Sequence, residues 1–329
     1  MKFRAGITAS LIALSLLINP NAHAATNICI AYDTGGLGDR SYNDATLAGI
    51  KLAQNQYTFT FEGVVTDGTP ADREKRLRNL TSKTCATIIA VGQGYAKTIE
   101  PLALEFPNTQ FAIIGDASIA ALNVTSVTFA EIEGAFLAGY SAAISSKSRK
   151  IAMITTPSNA DLYQNGFLAG VAASKKKVNS YVRFTSTDTS IAAKAMIGLG
   201  IDVIYAATSG AADGAFDAIV KANTAKNRKK SAVDANLIIT EPDLYLTVSA
   251  ATSKYLLASV VKRVDIAVAD VIGKAVNNSQ LTDVLDAKAG IYGHRYTIAD
   301  KGIEIVIKSK SLAAQSAAIN AAASAAYAR

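Results

Sequence analysis

Histidine and cysteine are scarce in this chain, two of each in 329 residues. His23 falls in the N-terminal segment, which leaves His294 as the one histidine of the remainder. A structural zinc site takes four Cys, His or carboxylate ligands, usually in tight Cys/His spacings, so no metal centre is expected. G-x-S-x-G is absent, and no histidine of the remaining chain sits at a predicted strand end beside a cysteine or serine, which argues against a nucleophilic hydrolase. G-x-x-x-x-G-K-[ST] is absent too, and the one glycine cluster fails G-x-G-x-x-G at its last position, Ser41. No nucleotide cofactor, nor any other, is expected. Basic residues are not interleaved with aromatic ones, so nucleic acid is not an expected partner.

Long apolar runs are confined to the start. MKFR carries two positive charges, AGITASLIALSLLI follows, and Ala22-His23-Ala24 has the small-x-small pattern of a cleavage site. Residues 1–24 read as a secretory signal peptide cut after Ala24. The apolar core of about 14 residues is short for a span that needs about 20. No lipobox cysteine lies near the cut. An exported protein is expected, periplasmic or at the cell surface, of about 300 residues, which suits two domains of about 150 each. Lys2 and Arg4 leave with the segment, so the formal charge of +7 falls to about +5. The positive residues gather in KSRK (147–150), KKK (175–177) and KNRKK (226–230). Such runs read as solvated faces, with adhesion to anionic cell-surface polymers as the alternative. Cys29 and Cys85 open the apolar runs NICIAY and CATIIAVG. If those strands are neighbours the sulfurs can meet in a disulfide; two separately buried thiols is the other reading.

Apolar runs of strand length alternate with helical periodicity. Strands are predicted at 27–32, 58–64, 86–91, 110–114 and 124–129, then at 150–154, 180–185, 202–206 and 236–240. Helices are predicted near 41–54, 70–82, 95–105, 131–146, 161–175, 190–199, 212–223 and 263–276. This is the rhythm of βαβ units, and it restarts after helix 131–146. Two doubly wound α/β lobes with a hinged cleft between them are expected. The first takes 25–130 plus about 255–282, because YLLASVVK (255–262) is read as carrying the chain back to it. The second takes 131–254 plus about 283–329, and its alanine-rich end is read as a surface helix.

In open α/β sheets ligands bind beyond the carboxyl ends of the strands. DTGGLGDRSYN (33–43) follows the first strand. Asp39 sits near the helix start, where a carboxylate competes with phosphate for the same N–H groups; the loop is read as approaching a neutral ligand. Asp116, Glu241 and Asp243 make the other strand ends acidic, which suits ligands rich in hydroxyl or amino donors. Tyr42, Tyr95 and Tyr163 also fall at strand ends and can offer ring faces to a planar base or a sugar.

These residues carry a family resemblance. DTGGLGDRSYN, GQGY (92–95), FAIIGD (111–116), VTFAEIEGAFLAGYSAA (127–143), DVIYAATSGAADGAFDA (202–218) and SVVKRVDIAV (259–268) occur in that order. Together they resemble the motifs of the basic membrane protein family, the purine nucleoside receptor-like substrate-binding proteins of ABC transporters. The resemblance implies a type I periplasmic-binding-protein-like fold, a purine nucleoside ligand, an ABC transporter permease as partner, and no enzymatic activity. A monomer is expected. By resemblance Tyr42 and Tyr163 stack on the base, and Asn43 and Asp116 bond its edge. Glu241 and Lys262 hold the ribose with help near Ser209 and Gly210, while Asp33 shapes the first loop. Glu241 stands where the family has aspartate, and SGAAD (209–213) has fewer glycines than the family's turn. A free base, a sugar or another small polar metabolite is the alternative ligand; a sensor ectodomain and a secreted nucleoside or glycoside hydrolase are the alternative roles.

Overall fold

The computed structural model describes residues 26–157, 160–185, 188–208, 212–240 and 248–328. Along the chain the strands are β1 (Thr26–Tyr32), β2 (Phe59–Val65), β3 (Thr87–Val91), β4 (Phe111–Ile114), β5 (Val124–Phe129), β6 (Lys150–Thr155), β7 (Asn179–Phe184), β8 (Val203–Ala207), β9 (Asn236–Thr240), β10 (Leu256–Lys262), β11 (Asp283–Asp286), β12 (Ile291–Tyr296) and β13 (Ile303–Ile307). The helices are α1 (Tyr42–Gln54), α2 (Pro70–Thr81), α3 (Ala96–Glu105), α4 (Glu131–Ser145), α5 (Ala160–Ala173), α6 (Thr189–Gly198), α7 (Ala212–Thr224), α8 (Val264–Val276), α9 (Lys310–Ala313) and α10 (Ser316–Ala326).

Local chemistry sets several helix starts. At α2 the Thr69 hydroxyl accepts from the Asp72 N–H at 3.2 Å and Pro70 takes the first turn, a position where a missing N–H costs nothing. At α6 Asp188 accepts from the Ser190 N–H at 2.7 Å.

The strands form two sheets, ordered β11-β12-β5-β4-β3-β1-β2 and β13-β10-β9-β8-β6-β7. Central strands such as β3 and β8 are buried at every residue, as expected of parallel strands covered on both faces. One face of the first sheet packs with α2 and α3 through Leu77, Leu80, Ile99 and Leu102. The matching face of the second packs with α6 and α7 through Ala193, Met196, Phe216 and Ile219. The remaining faces, with α1, α8, α4 and α5, share one apolar core across both sheets.

Strand pairing corrects the expected division of the chain. β10, at 256–262, lies in the second sheet, parallel to β9 and antiparallel to β13. β11 and β12 join the first sheet, β12 running parallel to β5. The chain therefore crosses between sheets near Ala130, near Arg263 and through 297–302. These crossings are tied side by side: the Ala130 N–H donates to the Tyr296 carbonyl at 2.8 Å, and the Arg263 N–H to the Gly302 carbonyl at 2.8 Å. The buried Glu133 carboxylate accepts from the Ile298 N–H at 2.7 Å. The C-terminal helix is also more than a surface element. Ile319 and Ala323 of α10 are buried in the shared core, and Tyr327 meets Phe136 of α4 edge-on at 5.5 Å.

The open question about the cysteines is resolved by β1 and β3 lying next to each other. Cys29 and Cys85 form a disulfide with their Cα atoms 5.8 Å apart. Glu62 joins them in the one cluster of potential metal ligands among the described residues. With both sulfurs bonded to each other, that cluster offers no thiolate.

Candidate functional site

Parallel strands bring their C-terminal ends to the same edge of each sheet, and the loops that follow β1, β3 and β4 lie together there. The order β4-β3-β1 places Asp33, Gly92 and Gly115-Asp116 on adjacent strand exits. From the second sheet, Lys262 at the end of β10 reaches across. Its ammonium donates to the Tyr42 hydroxyl at 3.3 Å and lies 5.9 Å from the centre of that ring. Glu131, at the start of α4, forms an ion pair with the same ammonium. Lys262 is 8 % exposed, so this cation is held by partners rather than by water. Tyr42 belongs to the first lobe and Lys262 to the second, so the contact spans the cleft between them. Gly115 lies beside the Tyr42 ring, where an added Cβ would be in ordinary contact at 3.4 Å, and its φ of 91° is what disfavours a side chain there.

The loop from 33 to 44 fills its own anion-binding groups. Asp39 accepts from the N–H groups of Ser41 at 2.8 Å, Asn43 at 3.1 Å and Asp44 at 3.1 Å. Asp44 accepts from Gly38 at 2.7 Å and Arg40 at 2.9 Å. Every one of these amides would be a donor in a phosphate cradle. Two carboxylates occupy them, so the loop repels a phosphate.

Asn43 has a different place from the one the resemblance gives it. It is wholly buried. Its side-chain oxygen accepts from the Asp33 N–H at 2.9 Å, and its NH2 donates to the carbonyls of Asp33 and Thr34 at 3.3 and 3.4 Å. Both ends of the amide are spent on the loop backbone, so in this structure Asn43 shapes the loop and does not offer an edge to a ligand.

Asp33 faces the strand ends with one oxygen committed. Its Oδ1 takes the Arg73 guanidinium at 2.8 Å and the Thr34 N–H at 2.9 Å. Its Oδ2 lies where a Cβ on Gly92 would come within 2.8 Å, and Gly92 has φ 97°; any side chain there would displace the carboxylate and strain the turn. Arg73 also lies 4.8 Å over the Tyr95 ring. Nothing in the sequence pointed to this role, because Arg73 sits among Asp72, Glu74, Lys75 and Arg76 on a predicted helix.

Tyr95 corrects the expectation of an exposed ring. It is fully buried, and its hydroxyl donates to the Tyr32 carbonyl at 2.8 Å. It supports the Asp33–Arg73 pair from behind and presents no face to the cleft. Burial, foremost, pushes its phenol well above the ordinary value, against the opposing pull of Arg73. An unfolded tyrosine titrates near 10. The fold therefore favours the protonated form, and its contribution is complete below about pH 10 and declines as pH rises beyond it. Urea unfolding at pH 8 and pH 10.5 is expected to show this decline, to which the phenols of Tyr32, Tyr296 and Tyr327, also raised by burial, contribute in the same direction. Tyr95→Phe is expected to lessen it while costing about 1 kcal/mol for the lost hydrogen bond.

Asp116 is half-buried and accepts from the Ser118 N–H at 2.8 Å and hydroxyl at 2.6 Å through one oxygen. Tyr163, on α5, is 2 % exposed and packed in the shared core, so here only Tyr42 of the two expected stacking rings has solvent access. Ser209, Gly210 and Glu241, with Asp243, lie outside the described residues. Just before the first of these, Thr208 follows β8 and is buried, with a hydroxyl that has no hydrogen-bond partner among the described residues. The sequence assigned no role to Thr208 or Glu131, although both stand inside quoted motifs (202–218 and 127–143).

The family model of ABC transporter substrate-binding proteins, PnrA-like, matches residues 27–322. A CD4+ T-cell-stimulating antigen from Listeria monocytogenes is 27 % identical over 75 % of this chain and 73 % of its own length. An ABC transporter nucleoside-binding protein, BmpA, from Lactococcus lactis is 24 % identical over 74 % of this chain and 73 % of its own. Among solved structures, a solute-binding protein of an ABC transporter system from Aeropyrum pernix K1 aligns over 85 % of this chain and 76 % of its own, with a TM-score of 0.63 at 22 % identity. At that identity the likeness concerns the fold alone.

Proposed function

Since this chain belongs to the family of PnrA-like ABC transporter substrate-binding proteins, we propose that its interlobe cleft takes a purine nucleoside for delivery to a membrane permease. The family works by binding and release, with no covalent step. The observation that carries the reading is the Tyr42–Lys262–Glu131 contact, which joins the two lobes beside Asp33 and Asp116. A ligand bridging the lobes stabilises the closed arrangement over the open one, and closure follows as a population shift. In this reading the base stacks on Tyr42, Asp116 and the outward oxygen of Asp33 accept from its donors, and Lys262 with Glu241 engages the sugar hydroxyls. The relative from Lactococcus lactis named as nucleoside-binding and the acidic, phosphate-repelling loop both favour an uncharged nucleoside over a nucleotide. Export with removal of residues 1–24 belongs to the same proposal, and the mass of the protein recovered from an exporting host checks it.

The test is a thermal-shift panel of nucleosides, free bases, pentoses and nucleotides against refolded protein. Adenosine, guanosine or inosine at 100 times its Kd should add about 2.7 kcal/mol of stability, and the matching nucleotide little. A shift from pentose alone would overturn the stacked-base reading. The two tyrosines then separate. Tyr42→Ala is expected to weaken the best nucleoside about 10- to 100-fold, the usual worth of one stacking ring, with a modest change in melting temperature. Tyr163→Ala empties a core position and is expected to cost about 3–5 kcal/mol of stability. Unaltered affinity in Tyr42→Ala would remove the ring from the site.

A further inference from the structure

The three basic runs, far apart in sequence, converge in space. KSRK leads into β6, KKK into β7 and KNRKK into the segment before β9. Those strands are mutually parallel through β8, so all three runs lie at the entry edge of the second sheet. Lys254 precedes β10, which runs parallel to β9. β13 runs antiparallel to β10, with Ile307 opposite Ala258, so Lys308 and Lys310 leave the sheet at the same edge. Six strands at about 4.8 Å spacing make this edge roughly 25 Å wide. Arg149 and Lys175–Lys177 line a shared open cavity of about 370 Å³ there.

Carboxylates hardly offset this charge. The entry loops carry two, Asp202 and Asp234. Asp202 is 3 % exposed and spent inward on the Ser146 hydroxyl and the N–H groups of Lys147 and Ser148, at 2.6, 2.6 and 2.9 Å. Asp234 pairs with Arg228 at 2.7 Å. The segments at the corresponding edge of the first sheet read NQYT, SKTCA, FPNTQ and NNSQLT, with the β11–β12 turn DAKAG (286–290). They hold two lysines: Lys83 is paired with Glu62, and Lys288 shares a tight turn with Asp286. The charge is thus a property of one end of one lobe.

We propose that this basic edge is a docking surface for the anionic face of a lipid bilayer. Cations spaced within a Debye length of about 8 Å act together on a charged plane. The three runs contain no aromatic residue, so they lack the stacking platforms of a nucleic-acid groove and match a plane of headgroups, which asks only for distributed ammonium and guanidinium groups. Among the described residues no helix is long and apolar enough to cross a membrane, so adhesion through this edge would hold the protein beside a permease. The cleft lies at the opposite ends of the same strands and stays clear for ligand. The inference does not depend on which ligand the cleft takes.

The experiment is co-sedimentation of the exported protein with vesicles of phosphatidylcholine alone or with about 30 % phosphatidylglycerol, at low and high salt. Binding is expected to the anionic vesicles alone and to vanish at high salt. The K175E/K176E/K177E and K229E/K230E variants should each lower the bound partition, and the two sets combined in one chain at least tenfold, with unaltered melting temperatures. Reversing Lys51 and Lys75, exposed on the first lobe, should leave it unchanged. Absence of wild-type binding, equal loss from the first-lobe reversals, or retention by heparin without retention by vesicles would each overturn the proposal.

Discussion

Gly170→Ala is expected to lower stability by on the order of 3 kcal/mol or more, seen as a fall in urea midpoint at constant slope. The reason lies in how α4 and α5 cross. A Cβ on Gly170 would stand 2.0 Å from the Phe136 carbonyl oxygen and 2.8 Å from the Tyr140 nitrogen. Gly139 faces the Phe167 carbonyl at 2.0 Å, and Gly166 the Ile132 carbonyl at 2.2 Å, in the same sense. These neighbours are backbone and cannot rotate away, so the helices would have to part along their whole contact. Parting them opens the core that Phe136, Phe167 and α10 share. Gly198→Ala, at the end of α6, is the control. Nothing lies within 4 Å of the added Cβ, and the change should be neutral or stabilising by up to about 1 kcal/mol. Equal losses in the two variants would refute the close-crossing account.

Removing the disulfide, as Cys29→Ala with Cys85→Ala, is expected to cost about 4 kcal/mol on the chain-entropy model for a loop of this size. The bond joins positions 56 apart in sequence and ties β1 to the entry of β3. β1 exits at Asp33 and β3 at Gly92, so the bond braces the same two strands whose far ends build the site. Cys85 lies before β3 and Cys29 midway along β1, four residues short of Asp33, so neither sulfur lines the cleft and nucleoside affinity should change much less than stability. A large loss of affinity without loss of stability would contradict that separation. The ordinary check is paired urea titrations of oxidised, reduced and double-alanine protein.

Much of the architecture was legible because the chain alternates regularly. Predicted strands such as 27–32, 124–129 and 236–240 fall on β1, β5 and β9 within a residue. Each is a short apolar run bounded by polar turns, and covered parallel strands need that pattern. β10 was seen as an apolar stretch but assigned to the wrong lobe. β11, β12 and β13 gave no signal at all: DVLD, IYGHRY and IEIVI are short, half-exposed and partly polar. Their membership depends on which edge each meets, and an apolar pattern carries no address.

The site shows the same division. The acidic loop after β1 was rightly read as hostile to phosphate, because Asp39 stands next to the helix start and the competition for N–H groups is local. Tyr95 is read as facing a ligand because it stands at a strand end, and Asn43 because the family resemblance gives it the base edge; both turn inward. An aromatic ring at a strand exit can point to either side, and only the neighbours it meets, Arg73 and Tyr32 for Tyr95, decide.

By itself the sequence determined the βαβ repeat, the two lobes and the motif order that marks the family, and it pointed to the strand ends as the candidate site. Those depend on contacts within some 30 residues and on chemistry between chain neighbours. The tertiary structure alone decided that Lys262 meets Tyr42 across 220 positions, that Cys29 bonds Cys85, that motif glycines serve a helix crossing, and that three basic runs form one edge. Each of these is a meeting of distant segments, fixed by sheet order and by strand direction, and neither is encoded in any one segment's pattern.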